Sequence, residues 1–282
     1  MKKLLVILSL SLVLVGCGNK TTNVSNSKDV LIKVGDQSIT IGQIYSQMMA
    51  TDSTAIIKQM ASRIIFEKEV PMDDEMIVEA DTQLQEFVDS VGDNIDLYLQ
   101  YYGYKDKDDY YNNGIIPSLQ QEKLVKNYLT DNFDAIAAGY RPKKIRLIEI
   151  TDAELAAEAL AEIKAGVDFT VVADKYSTSN YPGDEELVNN KSSIPSVVVS
   201  FIDYLTTPTL SDVLSDGTTN YIVQVTNADT NKLKDEIIES FTYDSTFTDK
   251  TLESYFIKYN FTIYDKTVFD LFIQTYPNYI AK

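Results

Sequence analysis

The one cysteine of this 282-residue chain, Cys17, closes the tetrapeptide Leu14-Val15-Gly16-Cys17 directly after an apolar run. A thiol placed there is the acceptor for a thioether-linked lipid, with cleavage of the chain on its N-terminal side. Lys2 and Lys3 form the basic head of the leader, Leu4 to Val15 its apolar stretch, and Gly16 the small residue before the cut. About 12 apolar residues are too few to span a bilayer, which takes roughly 20. The segment therefore reads as a leader that is removed, and the mature chain as starting at a lipidated Cys17. A cleaved secretory leader with an incidental cysteine and a short buried helix are the alternatives. Stable anchoring takes two or more acyl chains, and a multiply acylated Cys17 would hold the whole polypeptide outside the cytoplasm.

Acylation of Cys17 leaves no thiol for a disulfide, so the fold must rest on packing. The chain also has no histidine, which removes Ser-His-Asp and Cys-His catalysis, His-ligated zinc and imidazole proton transfer. No phosphate-cradling or dinucleotide glycine pattern is present, and no cofactor is expected. Asp106-Lys107-Asp108-Asp109 has the density of a calcium loop but lacks the glycine and glutamate that such a loop needs, and reads as a helix start. Tyr98, Tyr101, Tyr102, Tyr104, Tyr110 and Tyr111 crowd one short stretch. Rings with an apolar body and polar tip suit transient grip on unfolded chains, and at least half of these are expected to pack a helix pair instead. Tyr101, Tyr102 and Tyr104 are the candidates for contact with a client. The net charge is -17, two more negative once the leader lysines are gone. Such a chain repels nucleic acid and anionic lipid alike.

Gly18 to Lys28 is polar and aperiodic, a tether. Val30, Ile32 and Val34 alternate as a strand that ends in Gly35-Asp36-Gln37, and Thr40-Ile41-Gly42-Gln43 reads as a capping box. Helical spacing follows to about Phe133, with Ile56, Ile57, Met60, Ile64 and Ile65 as one apolar face and Asp73-Asp74-Glu75 as a helix start. Lys144 to Ile150 reads as a strand, and Thr151-Asp152-Ala153-Glu154 as a second capping box opening a helix that stops at Gly166. A short helix over 168–176, an irregular stretch at Tyr181-Pro182-Gly183 and a strand over 221–225 complete a β-α-α-loop-β unit. Two further helices lead to a strand at Phe261 and Ile263, expected to return and pair with the first strand. The segments are a leader 1–16, a lipidated Cys17 and tether 17–28, a helical module built from 29–140 and 230–282, and an α+β unit 141–229 inserted in it.

The run Ala161 to Phe169, continued by Ala173-Asp174-Lys175-Tyr176-Ser177, resembles the helix-turn-helix of parvulin-type peptidyl-prolyl isomerases, and Leu210-Ser211-Asp212-Val213 is similar to that family's approach to its last strand. The strand and cap of 30–45, the stretch around Tyr101-Tyr102-Gly103-Tyr104 with 119–128, and the tail 248–265 resemble the chaperone module of PrsA- and SurA-type foldases. With the leader motif, the resemblance to PrsA-like foldase lipoproteins covers nearly the whole chain. It implies an α+β fold in which a helical chaperone domain from both chain ends carries an inserted parvulin-like domain.

The resemblance also implies function. Parvulins place one histidine on the first strand and one on the last; here those positions fall at or next to Arg146 and on Tyr221. The family's pocket walls correspond to about Ser193-Ile194-Pro195 and Val197, and its glycine pair is reduced to Pro182-Gly183. An isomerase lowers a barrier of about 18–20 kcal/mol by binding the twisted amide better than either planar form, with no covalent step or metal. Loss of both imidazoles does not forbid this; loss of the walls as well argues for reduced or absent activity. The expected function is thus a membrane-anchored extracytoplasmic foldase or chaperone for newly secreted, unfolded proteins. An active isomerase with Tyr221 and Arg146 as its polar contributors, or a lipoprotein binding one dedicated envelope partner, are the alternatives. Self-association as a homodimer is compatible with each.

Overall fold

The computed structural model describes residues 24–281 except 52, 179 and 180; the leader, Gly16 and Cys17 lie outside the described residues. The chain divides into two units, one formed by 1–120 with 249–282 and the other by 121–248.

The first unit opens with a hairpin. β1 (Val30–Val34) pairs antiparallel with β2 (Gln37–Thr40) around a turn at Gly35, whose φ of +59° suits glycine. The capping box forms as expected: the Thr40 N–H donates to Gln43 Oε1 at 2.8 Å and the Gln43 N–H to Thr40 Oγ1 at 3.3 Å. Helices α1 (Ile41–Thr51), α2 (Ser53–Glu69) and α3 (Asp74–Val91) follow. α3 starts on Asp73, whose carboxylate accepts from the Met76 N–H at 2.9 Å. After a 3-10 turn at Gly92–Asn94 come α4 (Ile95–Tyr101) and α5 (Lys107–Tyr110), then a π turn over Tyr111–Ile115 that runs into α6 (Ile116–Asp131). Asp106 caps α5 by accepting from the Asp109 N–H, as the helix-start reading required.

The expected C-terminal strand does not form. Residues 261–265 have no regular structure, and β1 pairs with β2. The physical reason is aromatic packing: the Phe261 ring sits edge-on to Phe256 with centroids 4.8 Å apart and tilted on Phe272 at 5.3 Å. Phe256 and Phe272 are fully buried, and Tyr279 is 2% exposed. Truncating one such ring costs about 3–5 kcal/mol, more than a short edge strand could return. The two chain ends do meet, through α13 (Lys266–Thr275), which packs on α2 and α1.

The second unit is a sheet covered on both faces. α7 (Phe133–Tyr140), absent from the sequence expectation, leads into β3 (Lys143–Ile150), then α8 (Ala153–Lys164), α9 (Phe169–Tyr176), β4 (Glu186–Val188), α10 (Ser196–Ile202), β5 (Thr209–Leu210), β6 (Leu214–Ser215), β7 (Asn220–Asn227) and α11 (Lys234–Thr242); α12 (Ser245–Lys258) crosses back toward the chain end. The strand order is β4-β3-β7-β5 with β6 beside β7, and each pair is antiparallel. α8 is capped by Asp152 rather than through Thr151: the carboxylate accepts from the Glu154 and Leu155 N–H groups at 2.8 and 3.0 Å. A charged acceptor favoured by the helix dipole takes the first free donors, and the Thr151 hydroxyl lies 3.4 Å from that of Thr178. Gly166 ends α8 at φ +94°, with the Val167 N–H reaching back to the Glu162 carbonyl at 3.1 Å.

Period-two alternation sorts the side chains of the central pair. Ile148, Ile150 and Ile222 meet Ala156, Leu160, Phe169 and Val172 of α8 and α9. Ile145, Leu147, Tyr221, Val223 and Val225 meet Val198 and Ile202 of α10 on the opposite face. A third cluster joins Val125, Leu129, Phe133 and Ala137 to Leu233, Ile237, Phe241 and Phe247. Its Phe241 and Phe247 rings stack at 4.4 Å.

Candidate functional site

Two surfaces, one in each unit, carry the residues that the sequence singled out. In the sheet unit, Tyr221 lies opposite Glu149 and Arg146 opposite Gln224 in the β3–β7 register. An odd position on one strand and an even position on the other place Tyr221 and Arg146 on opposite faces of the sheet. The structure does not bring the two together. The β3 residues that flank Arg146 are Ile145 and Leu147, on the Tyr221 face and 1% and 4% exposed, so aliphatic groups adjoin that position, and the β3 side chain directly opposite Tyr221 is the carboxylate Glu149.

The Tyr221 face is apolar and filled. Tyr221 is 6% exposed, and its hydroxyl donates to Asp216 Oδ2 at 3.1 Å. Burial first, then this carboxylate, push its phenol above the ordinary tyrosine value. Ile194 and Val197, two of the expected wall positions, do pack here, together with Tyr181, Phe201, Leu205 and Leu214. The last four were not anticipated. The spacing Val197, Val198, Phe201, Ile202 on α10 was the signal for one of them, Phe201, a three-to-four period hidden in a seven-residue helix. Ser193 is exposed, and Pro195 precedes the first turn of α10. Asp216 is held at about 2, first by the backbone N–H groups of Thr218 and Thr219, then by the Thr218 hydroxyl, with Tyr221 adding to these.

Arg146 is committed on the other face. Its Nη1 donates to the Gly183 carbonyl at 3.2 Å, beside a shallow groove of about 440 Å³ lined also by Ile163, Asp168, Glu185, Gln224 and Thr226. Gly183 has φ +80°, and a Cβ there would come within 2.6 Å of Ala173 Cβ. The Pro182-Gly183 remnant therefore serves close packing on α9, with its carbonyl turned to Arg146. Among the described residues no cluster of three metal-ligating side chains exists.

In the helical unit, aromatic rings form a wedge. Phe87 of α3 backs Tyr98 at 5.6 Å and Tyr110 at 4.8 Å; Tyr98 and Tyr102 are tilted at 4.8 Å, and Tyr101 meets Tyr102 edge-on at 5.1 Å. Tyr104 packs on Tyr110 at 5.0 Å over Gly114, where a Cβ would come within 2.9 Å of the Tyr110 ring and the Tyr104 hydroxyl. So Tyr104 and Tyr110 pack, whereas Tyr101 and Tyr102 are 84% and 58% exposed. On α2 the apolar face predicted from spacing splits: Ile65 is buried, while Ile56, Met60 and Ile64 face solvent at 49%, 63% and 67%. Four-residue spacing lines these three up on one side of the helix. Arg63 ties α2 to the π turn by donating to the Asn112 carbonyl at 3.0 Å. No helix among the described residues is long and apolar enough to cross a membrane.

The sequence is similar to Foldase protein PrsA of Streptococcus mutans, 28% identical over 295 residues that cover 94% of this chain and 84% of the relative. It is also similar to Foldase protein PrsA 2 of Bacillus cereus, 23% identical, with 94% of each chain covered. The crystal structure of the peptidyl-prolyl isomerase (PrsA) from Bacillus cereus shares the fold, with a TM-score of 0.53 at 19% identity over 89% of this chain and 99% of that one. No protein-family model matches. The chain is PrsA-like in sequence and in fold.

The Asp216 turn makes the Tyr221 face acid-sensitive. A carboxyl lowered from 3.8 to about 2 stabilises the native turn at neutral pH and loses that contribution as pH falls through the folded value. The expected result of an NMR titration is a shift of the Thr218 amide and Tyr221 ring resonances with a midpoint near 2, abolished in Asp216→Asn. A midpoint at the ordinary aspartate value would show that the turn does not hold the carboxylate.

Proposed function

We propose that this chain is a membrane-anchored extracytoplasmic foldase that holds unfolded exported polypeptides on its helical unit, while its parvulin-like unit isomerises X-Pro bonds slowly or not at all. The observation that carries the reading is the exposed apolar surface of the helical unit, with Ile56, Met60 and Ile64 in a row on α2 and Tyr101 and Tyr102 at the end of α4. Contiguous exposed apolar groups on a chain this acidic mark an interaction surface. Similarity to relatives named as foldases supports the same reading. Holding requires no nucleotide, because release needs only that the client bury its own apolar groups faster than it rebinds.

The slow-isomerase half rests on where the polar groups point. Tyr221 donates its hydroxyl to Asp216, the other side chains of β3 on its face are the aliphatic Ile145 and Leu147 and the carboxylate Glu149, none of them a donor, and Arg146 lies on the other face of the sheet. A twisted amide entering there would find apolar walls without a free donor, so little differential stabilisation is available. The packing of Ile194 and Val197 on that face favours the second reading, a working isomerase with an altered donor set.

Three measurements test these statements. Light scattering from an unfolded secretory protein diluted into several-fold molar excess of the full chain should fall strongly. The triple variant Ile56→Ser, Met60→Ser, Ile64→Ser should lose about half of that protection; undiminished scattering with the wild-type chain rejects the foldase reading. A protease-coupled assay on an X-Pro peptide should give a rate near background that Tyr221→Ala and Arg146→Ala leave unchanged, whereas a rate well above background that Tyr221→Ala abolishes establishes the second reading. For the anchor, the wild-type chain should sediment with membranes and Cys17→Ser should not; equal partition of both rejects lipidation at that residue.

A further inference from the structure

The molecule uses its own tyrosines as cation platforms. Lys58 Nζ sits over the rings of both Tyr276 and Tyr279, at 4.8 and 4.9 Å, Lys68 over Tyr259 at 4.3 Å, and Arg141 over Tyr204 at 4.6 Å. The tyrosine wedge differs. Among the described residues no lysine or arginine lies over Tyr98, Tyr101 or Tyr102, although Tyr101 is 84% exposed. The wedge is also framed by carboxylates. Between Gly92 and Tyr111 the chain carries five aspartates and two lysines. On α4 and the turn before it, Asp93, Leu97 and Tyr101 follow at four-residue spacing, so a charge, an aliphatic group and a ring share one exposed helix face.

From this charge complementarity we infer that the α4 wedge is a subsite for arginine-rich, basic segments of unfolded polypeptides. The inference rests on the foldase reading and names the client feature that this part of the surface selects. A guanidinium is planar and weakly hydrated, so it stacks on a phenol ring at less desolvation cost than an ammonium does. Arginine is therefore preferred over lysine. Tyr101 and Tyr102 meet edge-on at 84°, which presents two differently directed faces to one extended segment. Phe87, packed behind Tyr98 and Tyr110, keeps the rings from collapsing onto α3. Asp93 and Asp96 add long-range attraction that steers a basic segment toward the rings and weakens with salt.

The test is fluorescence anisotropy of short unstructured labelled peptides, identical except that arginine is replaced by lysine, glutamine or glutamate, against the full chain. Affinity should fall in that order. At about 0.5–1 kcal/mol for each exposed cation–π contact, the double variant Tyr101→Leu, Tyr102→Leu, which keeps apolar area and loses the ring faces, should weaken arginine-peptide binding roughly fivefold to thirtyfold. Glutamine-peptide binding should stay unchanged in that variant. Asp93→Asn with Asp96→Asn should weaken arginine and lysine peptides alike and flatten the salt dependence. Equal affinity of the wild-type chain for arginine and glutamine peptides overturns the inference, and so does full arginine preference in the leucine variant. Protection of an unfolded acidic client without any peptide preference overturns the subsite and leaves the foldase reading. Arginine preference without protection does the reverse.

Discussion

A unit assembled from the two ends of a chain without disulfides must be closed by packing alone, and in the helical unit that closure is the aromatic cluster of Phe256, Phe261, Phe272, Tyr276 and Tyr279. Phe256 and Phe272 have no exposure, and Tyr279 has 2%. The polar part of the closure is secondary. Lys58 bridges to Asp249 at 3.0 Å while its ammonium lies over two rings, yet Asp249 is 57% exposed, and such a pair contributes about 0–1 kcal/mol. What the polar groups supply is direction. Tyr279 donates to Asp249 at 3.0 Å, and burial, with that neighbouring charge, holds its phenol far above the ordinary tyrosine value, so the donor is present at any physiological pH. Glu69, which accepts from Lys258 at 2.6 Å and from the Tyr259 hydroxyl, joins the end of α2 to the end of α12 in the same way. Because α2 is pinned on this side, its opposite face with Ile56, Met60 and Ile64 is left without a partner in the described chain.

The same closure explains the limits of reading this chain from its residues. Phe261-Thr262-Ile263 alternates as a strand does, and local pattern alone assigns it one. What decides its state is a ring partner at Phe272, eleven residues on, inside a helix that the pattern did not reveal. Capping chemistry was legible because it is local: Thr40 with Gln43, Asp73 with Met76 and, around Gly166, Val167 with Glu162 each act within five residues. The second cap shows the margin, since Thr151 and Asp152 are both good caps and only geometry selects the carboxylate. Short elements escaped for a related reason. β2 has four residues and α10 seven, too few for either period to stand out.

The candidate site was legible one residue at a time and not as a pair. Both Arg146 and Tyr221 lie on the central strands, as the resemblance implied, but whether they face each other depends on register. A shift of one residue moves a side chain to the other face. The pairing of Glu149 with Tyr221 settles it, and no property of Arg146 in isolation could have done so. The exposed row on α2 was hidden by the opposite problem: five apolar residues at helical spacing span more arc than one core face can cover, so the same pattern holds both Ile65, which is buried, and Ile64, which is not.

Electrostatics then links composition to use. With 25 basic residues against 42 acidic ones, the cations of this chain are largely engaged. In the sheet unit Lys126 lies between Glu122 and Glu239, Lys144 between Glu185 and Glu236, and Arg141 on Asp203. Lys143 is 3% exposed, its ammonium donating to the carbonyls of Arg141 and Asp203 at 3.1 Å each, and desolvation lowers its pKa. A chain that spends its cations internally presents carboxylates and phenols outward. Such a surface repels acidic neighbours and other copies of itself at long range, so attachment to it requires either apolar area that outweighs that repulsion or positive charge on the incoming group. The row on α2 has exposed area of the first kind and the tyrosine wedge lies beside carboxylates that suit the second.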